Sequence, residues 1–228
     1  MRQWAFDLFG IFFPSYCPVC GFPLHTMRQV MCLKCESGMP YTRYEKDLSN
    51  PVARIFWGRV LLEGATALVR FEKGSRYQPL LHHLKYNGRR EIGIFLGRKL
   101  GSVLNGTPFA EADYLVPVPL HPSREKERGY NQSELIVRGV SAITGIPLSD
   151  RLLVRIQKTG SQTSKSRIAR WKNVENVFQL NDELECFENR KLLLIDDVVT
   201  TGATLEACAR ELLKIKGVKV FVATIACA

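Results

Sequence analysis

The amino-acid sequence predicts an α/β protein in which a parallel β-sheet is covered by helices on both faces and a small module precedes it. The sheet is predicted because strand-like and helix-like segments alternate, and because the strand-like segments are apolar throughout instead of alternately apolar and polar. The module is predicted because the first forty residues contain four of the seven cysteines, in two close pairs.

The cysteine pairs are "CPVC" and "CLKC", with eleven residues between them. Two Cys-X-X-Cys pairs at this distance are typical of one tetrahedral zinc site, and Pro18 and Gly21 suit the tight turns around it. A redox site would need only one pair, so structural zinc is favoured. The predicted ligands are Cys17, Cys20, Cys32 and Cys35.

The predicted boundary gives a zinc-binding module at 1–45, which needs metal to fold, and an α/β domain at 46–228. The chain begins "MRQWAFDLFGIFFPSYC", which holds Asp7 within its apolar stretch and has no small-residue cleavage site. We therefore expect an amphipathic helix there and not a signal peptide. No segment approaches the roughly 20 apolar residues of a membrane span. An odd cysteine count favours a reducing cytoplasm over a secreted disulfide framework.

The predicted strands follow in order. Residues 61–72 form a hairpin or an edge strand, and "DYLVPVPL", "LLVRIQ", "KLLLIDD" and "VKVFVATIACA" form the later strands. The segment "YQPLLHHLKYNGRREIGIFLGRKLGSVL" is helical and broken near Asn87. Two further helices, "NQSELIVRGVSAITG" and "TLEACARELLKIKG", are predicted to stop at Gly145 and Gly217.

The segment "LLLIDDVVTTGAT" places paired acids after a buried strand and a hydroxyl-rich turn before a helix. Ligands of parallel sheets bind beyond the carboxyl ends of the strands, where Asp196 and Asp197 are expected. Backbone N–H groups at a helix start bind phosphate, and Gly202 allows a close approach. The acids suit either the hydroxyls of a ribose or Mg²⁺. A P-loop is excluded because no Gly-Lys pair occurs in the chain.

A net charge of +10 indicates anionic partners. In "VPVPLHPSREKERGYNQ" basic and acidic residues alternate, which predicts that the two signs face opposite ways with the basic side chains inward. The candidates for contact with an anionic ligand are Arg124, Lys126 and Arg128. Asn131 either donates to a phosphate or caps the next helix, and the sequence leaves both open.

Two further basic regions are candidates for binding. The polar segment "KTGSQTSKS" has the composition of a loop, and its candidates for ligand contact are Lys158, Ser161 and Gln162. Single-stranded nucleic acid is predicted to bind two patches, with a merely solvated face as the open alternative. The patches are Lys85, Arg89 and Arg90, and Lys165, Arg167 and Arg170.

The segment "LLLIDDVVTTGAT" resembles the phosphoribosyl pyrophosphate motif of type I phosphoribosyltransferases. The resemblance implies that Asp196 and Asp197 hold the ribose hydroxyls and that the following turn holds the 5′-phosphate. The implied phosphate ligands are Thr200, Thr201, Gly202, Ala203 and Thr204. It also implies that the "KTGSQTSKS" loop closes over the reacting centre and keeps out water.

The cysteine pairs, "HHLKYNGRREIG", "VPVPLHPSREKERGYNQSELIV" and "SQTSKSRIARWKNVENVF" resemble, in this order, the ComF or GntX-like competence family. The chain departs from the family at Lys126, where a second arginine is expected, and at Tyr130, where phenylalanine is common. A lysine keeps the charge but not the two-pronged geometry of a guanidinium.

The resemblance implies one of two functions. An enzyme would bind phosphoribosyl pyrophosphate with Mg²⁺ and transfer the phosphoribosyl group to an unidentified acceptor. A non-catalytic accessory of natural transformation would sense the same ligand while binding single-stranded DNA and a helicase. Because the sequence stops after its last predicted strand, any hood over a base is expected from the zinc module and residues 46–75, or else the acceptor is not a free base.

Overall fold

The computed structural model describes residues 15–24, 26, 29–71, 74–156, 177–181 and 184–228. The α-helices of these residues are α1 (Leu33–Ser37), α2 (Pro51–Arg54), α3 (Gln78–Tyr86), α4 (Arg90–Leu104), α5 (Pro122–Arg128), α6 (Gln132–Thr144) and α7 (Ala203–Leu212). Short 3₁₀ turns cover Tyr44–Lys46, Pro108–Glu111 and Leu184–Phe187. The strands are β1 (Gly64–Arg70), β2 (Tyr114–Pro117), β3 (Leu153–Arg155), β4 (Phe178–Leu180), β5 (Lys191–Val199) and β6 (Lys219–Cys227).

The main sheet has four parallel strands in the order β1-β6-β5-β2, which confirms the predicted parallel α/β architecture. β1 lies at one edge, so the 61–72 segment is an edge strand and not a hairpin. The segment "LLVRIQ" does not join this sheet. It forms β3, which pairs antiparallel with β4 in a separate two-stranded sheet.

Both faces of the main sheet are buried, as continuous apolar strands predict. Along β5, Leu193 and Ile195 pack in a core with α3, α4 and α6, while Leu192 and Leu194 pack in a second core with α2 and α7. Successive residues of a strand face opposite sides of the sheet, so this division follows directly from the strand geometry. The helices therefore cover the sheet from both sides.

Helices α4 and α6 cross with their backbones in contact. A Cβ atom on Gly97 would lie 2.1 Å from the carbonyl oxygen of Ile136, and one on Gly139 would lie 2.3 Å from that of Ile94. Only glycine fits at such a crossing, because any side chain would push the helices apart. This close packing holds α6 against α4.

The cysteine-containing segment packs against the sheet domain. Its buried residues, among them Cys17 and Met31, share one core with Leu68 and Leu80. The backbone N–H of Thr42 also donates to the carbonyl of Leu68 at 3.0 Å. These contacts join the two regions, and a separately folding unit at 1–45 stays a prediction.

The helix boundaries agree in most places with the sequence. The predicted break at Asn87 separates α3 from α4, and Gly145 ends α6 in the left-handed conformation with φ of 74°. The prediction that Gly217 ends α7 is wrong, since α7 already stops at Leu212. Gly217 lies in the turn before β6. Every helix in the described ranges is too short or too polar to span a bilayer.

Candidate ligand and metal sites

The structure brings the four predicted zinc ligands together. The Sγ atoms of Cys17, Cys20, Cys32 and Cys35 all lie within 4.8 Å of one another. Cys32 and Cys35 are placed by the start of α1, and the Sγ atoms of Cys20 and Cys32 are 3.6 Å apart. Four sulfurs bound tetrahedrally at ~2.3 Å from zinc would be about 3.8 Å apart, so the cluster fits this ion.

Backbone groups around the cluster favour the ionised thiol that a metal requires. Burial opposes ionisation of Cys17, but hydrogen bonds from the backbone N–H groups of Cys32, Val19 and Cys20 lower its pKa to about 7. Burial raises the pKa of Cys35 instead. The Tyr77 hydroxyl donates to the carbonyl oxygen of Cys35 at 2.9 Å, which ties the cluster to the start of α3.

The paired acids lie inside strand β5, which continues beyond the predicted end at Asp197 to Val199. The Ser133 hydroxyl donates to Asp196 Oδ1 at 2.8 Å, and the backbone N–H of Asp197 donates to the same oxygen at 2.8 Å. Lys85 Nζ lies 2.8 Å from Asp197 Oδ2. Each carboxylate is therefore oriented by a different helix, α6 for the first and α3 for the second.

The environment of Asp196 disfavours its ionised form. Burial raises the pKa of Asp196 to about 7, and the neighbouring charge of Asp197 adds to that shift. Hydrogen bonds from the Asp197 N–H and from Ser133, together with the Lys85 charge, act in the opposite direction. A raised pKa is expected for one of two adjacent carboxylates in a confined site.

The turn after β5 leads directly into helix α7, as the sequence predicts. Gly202 has φ of 74° and precedes the first residue of α7. A Cβ atom on Gly202 would lie 2.8 Å from Ile55 Cγ2 and 2.9 Å from Phe56 Cε1, so both conformation and space require glycine. A cavity of about 50 Å³ is lined by Asp196 and the turn from Val198 to Leu205.

Arg59 is a residue at this turn that sequence reasoning missed. Its guanidinium donates to the carbonyl oxygen of Thr201 at 2.8 Å and pairs with Glu206 of α7. Arg59 belongs to no motif and lies 142 positions before Thr201, so no local signal could have identified it. It holds the backbone of the turn in place.

The segment of Arg124, Lys126 and Arg128 folds as helix α5, so the expectation that basic and acidic residues face opposite ways is wrong. At 100° per residue, Arg124 and Arg128 share one side of the helix and Lys126 lies on roughly the other. Arg128 lies over the ring of Tyr86 at 5.2 Å. Helix α5 ends at Gly129, which is left-handed with φ of 75°.

Asn131 caps helix α6. Its Oδ1 accepts from the backbone N–H of Ser133 at 3.0 Å, and its Nδ2 donates to the carbonyl oxygen of Val118 at 3.0 Å. Both ends of the amide are therefore engaged within the protein. A phosphate contact by Asn131 stays a prediction.

Each residue of the first predicted nucleic-acid patch has a partner within the protein, and nucleic-acid binding by this patch stays a prediction. Lys85 faces Asp197, and Arg90 donates to the carbonyl oxygen of Gly129 at 2.8 Å and lies 5.0 Å from the Tyr130 ring. Arg89 pairs with Glu91 at 2.7 Å. The remaining predicted contacts lie outside the described residues: Lys158, Ser161, Gln162, Lys165, Arg167 and Arg170.

Comparison with known proteins gives a consistent set of relatives. The profile of the phosphoribosyl transferase domain matches residues 110–228. The DNA utilization protein YhgH of Escherichia coli K12 is 30% identical over 204 residues, which cover 88% of this chain and 78% of that protein. Competence protein F of Haemophilus influenzae is 36% identical over 101 residues, 44% of each chain. Competence protein ComFC of Bacillus subtilis 168 is 27% identical over 198 residues, 87% of this chain and 71% of that protein.

Proposed function

Because this chain belongs to the phosphoribosyl transferase domain family, together with the competence and DNA utilization proteins, we propose that it binds phosphoribosyl pyrophosphate with Mg²⁺. One observation carries the proposal: Asp196 and the hydroxyl-rich turn from Thr200 to Thr204 line the same cavity. A carboxylate that accepts hydroxyl hydrogen bonds and a helix start that binds phosphate are the two recognition elements that a ribose 5-phosphate requires.

Each part of the ligand has a matching part of the site. The turn holds the 5′-phosphate through its N–H groups and threonine hydroxyls, and Arg59 keeps that turn in shape. Asp196 and Asp197 accept hydrogen bonds from the ribose hydroxyls. Arg124 and Arg128 face the pyrophosphate charge from one side of α5, with Lys158, Ser161 and Gln162 as further contacts. Lys126 lies on roughly the other side of the helix and is not assigned to the pyrophosphate. Mg²⁺ supplies additional neutralisation of the pyrophosphate when it is bound.

The chemistry that this arrangement supports is transfer of the phosphoribosyl group by positioning and charge stabilisation. As the bond to pyrophosphate breaks, positive charge develops on the anomeric carbon and negative charge on the leaving group. Basic side chains of α5 stabilise the leaving pyrophosphate, and the carboxylates hold the ribose in place. An unidentified acceptor completes the reaction.

The ligand is tested by calorimetric titration of the full chain with phosphoribosyl pyrophosphate in the presence of Mg²⁺. We expect saturable binding to one site and a higher melting temperature, since the ligand binds only the folded state. Ribose 5-phosphate and pyrophosphate, each added alone, are expected to bind more weakly because each engages only part of the site. No binding of the complete ligand would contradict the proposal.

The names of the relatives, DNA utilization protein and competence protein, favour a second candidate, an accessory of DNA uptake. In this second proposal the chain senses the ligand in the cytoplasm and works with a helicase. This candidate predicts ligand binding without turnover. Release of pyrophosphate from the bound ligand separates the two, because an accessory leaves the ligand intact. With water as the acceptor, an enzyme is expected to release pyrophosphate only slowly. The assay therefore includes pools of nucleobases and amines as candidate acceptors.

Direct binding of single-stranded DNA is the remaining part of this proposal. Affinity is expected to fall steeply with salt, with a log–log slope of roughly −0.7 per phosphate contacted. Two variants are expected to weaken the affinity for single-stranded DNA. They are the triple variant Lys165→Glu, Arg167→Glu, Arg170→Glu and the single variant Arg89→Glu. Arg90 is left unchanged because its bond to Gly129 supports the ligand site. Unchanged affinity in both variants would show that these residues form only a solvated face.

A further inference from the structure

A lysine outside the segment "LLLIDDVVTTGAT" forms an ion pair with one of its two acids. Lys85 lies in the last turn of α3, and its Nζ is 2.8 Å from Asp197 Oδ2. The side chain of Lys85 is 28% exposed and that of Asp197 is 12% exposed, so the pair is largely removed from solvent. An ion pair in this position is weakly screened, and its loss would leave a carboxylate without a counter-charge.

Contacts along α3 hold Lys85 in place without any ligand. The residue before the helix, Tyr77, donates to the carbonyl oxygen of the zinc-site residue Cys35 at 2.9 Å. At the other end, the hydroxyl of Tyr130 donates to the carbonyl oxygen of Leu84, and the guanidinium of Arg128 covers the ring of Tyr86. The helix is thus fastened at its start to the cysteine cluster and at its end to the segment that follows α5.

The chemistry of the ligand requires such a cation. Ribose hydroxyls are neutral donors, so they do not compensate the charge of two adjacent carboxylates as the ligand displaces water. Ser133 orients Asp196 but carries no charge. Among the described residues, Lys85 is the basic side chain that pairs with either acid within 4 Å.

We propose that Lys85 is a positioning residue of the ligand site, which acts through Asp197 by pairing with its carboxylate and holding it oriented toward the ribose hydroxyls. This inference rests on the proposed binding of phosphoribosyl pyrophosphate. It removes Lys85 from the predicted nucleic-acid patch and assigns it to the small-ligand site. DNA binding by this chain therefore does not require Lys85.

A double-mutant cycle on ligand affinity tests the inference. Lys85→Met is expected to weaken binding of phosphoribosyl pyrophosphate with Mg²⁺ by about tenfold in the parent chain, and by less than about twofold in an Asp197→Asn background. Lys85→Arg, which keeps the charge, is expected to recover most of the affinity. Arg89→Met is the matched control, because Arg89 is nearby but pairs with Glu91, and it is expected to bind as the parent does.

The ligand-free protein gives a second cycle that does not depend on measurable binding. Lys85→Met is expected to lower the melting temperature by leaving Asp197 unpaired, and Asp197→Asn added to it is expected to restore the loss. Equal losses of affinity from Lys85→Met in both backgrounds, or equal binding by Lys85→Met and the parent, would overturn the inference alone. Failure of the parent to bind would overturn the proposed function and the inference with it.

Discussion

Replacing Cys32 with serine is expected to release the bound zinc and to cost roughly 3 kcal/mol or more of stability. For a protein of this length that loss lowers the melting temperature by about 10 °C. The effect is large because Cys32 and Cys35 share a core with Met31, Met39 and Leu80, so the damage extends from the cysteine cluster to α3.

Metal analysis of the purified chain, followed by a melting curve, measures this result. The parent is expected to hold about one zinc per chain and the variant none. Cys186→Ser is the matched control, because Cys186 is exposed and lies outside the cluster, and it is expected to keep both the metal and the melting temperature. A parent chain with no zinc, or with iron in its place, would contradict the assignment.

The double variant Asp196→Asn, Asp197→Asn is expected to lose the thermal shift caused by phosphoribosyl pyrophosphate and Mg²⁺ while remaining folded. Asparagine keeps the shape of each side chain but removes the charge and replaces one acceptor oxygen with a donor. Both acids stand near the end of β5 outside the two apolar cores, and Asp196 lines the cavity, so the fold is expected to survive the change. A double variant that still binds as the parent does would show that the ribose assignment is wrong.

In the ligand-free protein, the single variant Asp196→Asn is expected to change how the free energy of unfolding depends on pH. Burial raises the pKa of Asp196 to about 7, above its ordinary value near 4 in the unfolded chain. Between these values the folded state binds more protons than the unfolded state, so this group lowers the free energy of unfolding as pH rises. Asparagine removes that cost. The stability of the variant relative to the parent is therefore expected to be higher at pH 8 than at pH 5.

Denaturant unfolding of both proteins at the two pH values checks this expectation. Asp113→Asn serves as the control, because Asp113 lies far along the chain from the acid pair and bonds Lys191 and Arg190. A stability difference between Asp196→Asn and the parent that stays the same at pH 5 and pH 8 would contradict the raised pKa.

The parts of the site that could be predicted from the sequence are contiguous or regularly spaced. The acids and the turn up to Thr204 follow one another directly, and the cysteines have a fixed spacing, so local pattern alone identified both. Ser133 and Arg59 could not be found in this way, because they lie 63 and 142 positions from their partners. Their role depends on how α6 and the segment after α2 pack against the sheet.

The alternating charges after His121 show a different kind of error. Pro122 at the first helical position and Gly129 after the last are signals for a helix, and the structure has one there. The alternation of charges indicated an extended segment with a period of two. In the helix, Lys126 therefore lies on a different side from Arg124 and Arg128. In the same way, "LLVRIQ" has the composition of a buried strand, and composition does not determine which sheet a strand joins.

The crystal structure of the full chain with phosphoribosyl pyrophosphate and Mg²⁺ tests the central claim most directly. We expect the ribose hydroxyls to lie within hydrogen-bond distance of Asp196 and Asp197, with the 5′-phosphate on the N–H groups of Thr200 to Thr204. We also expect Lys85 to stay on Asp197 in the complex. A ligand bound elsewhere, or a phosphate at the acids and the ribose at the turn, would contradict the central claim.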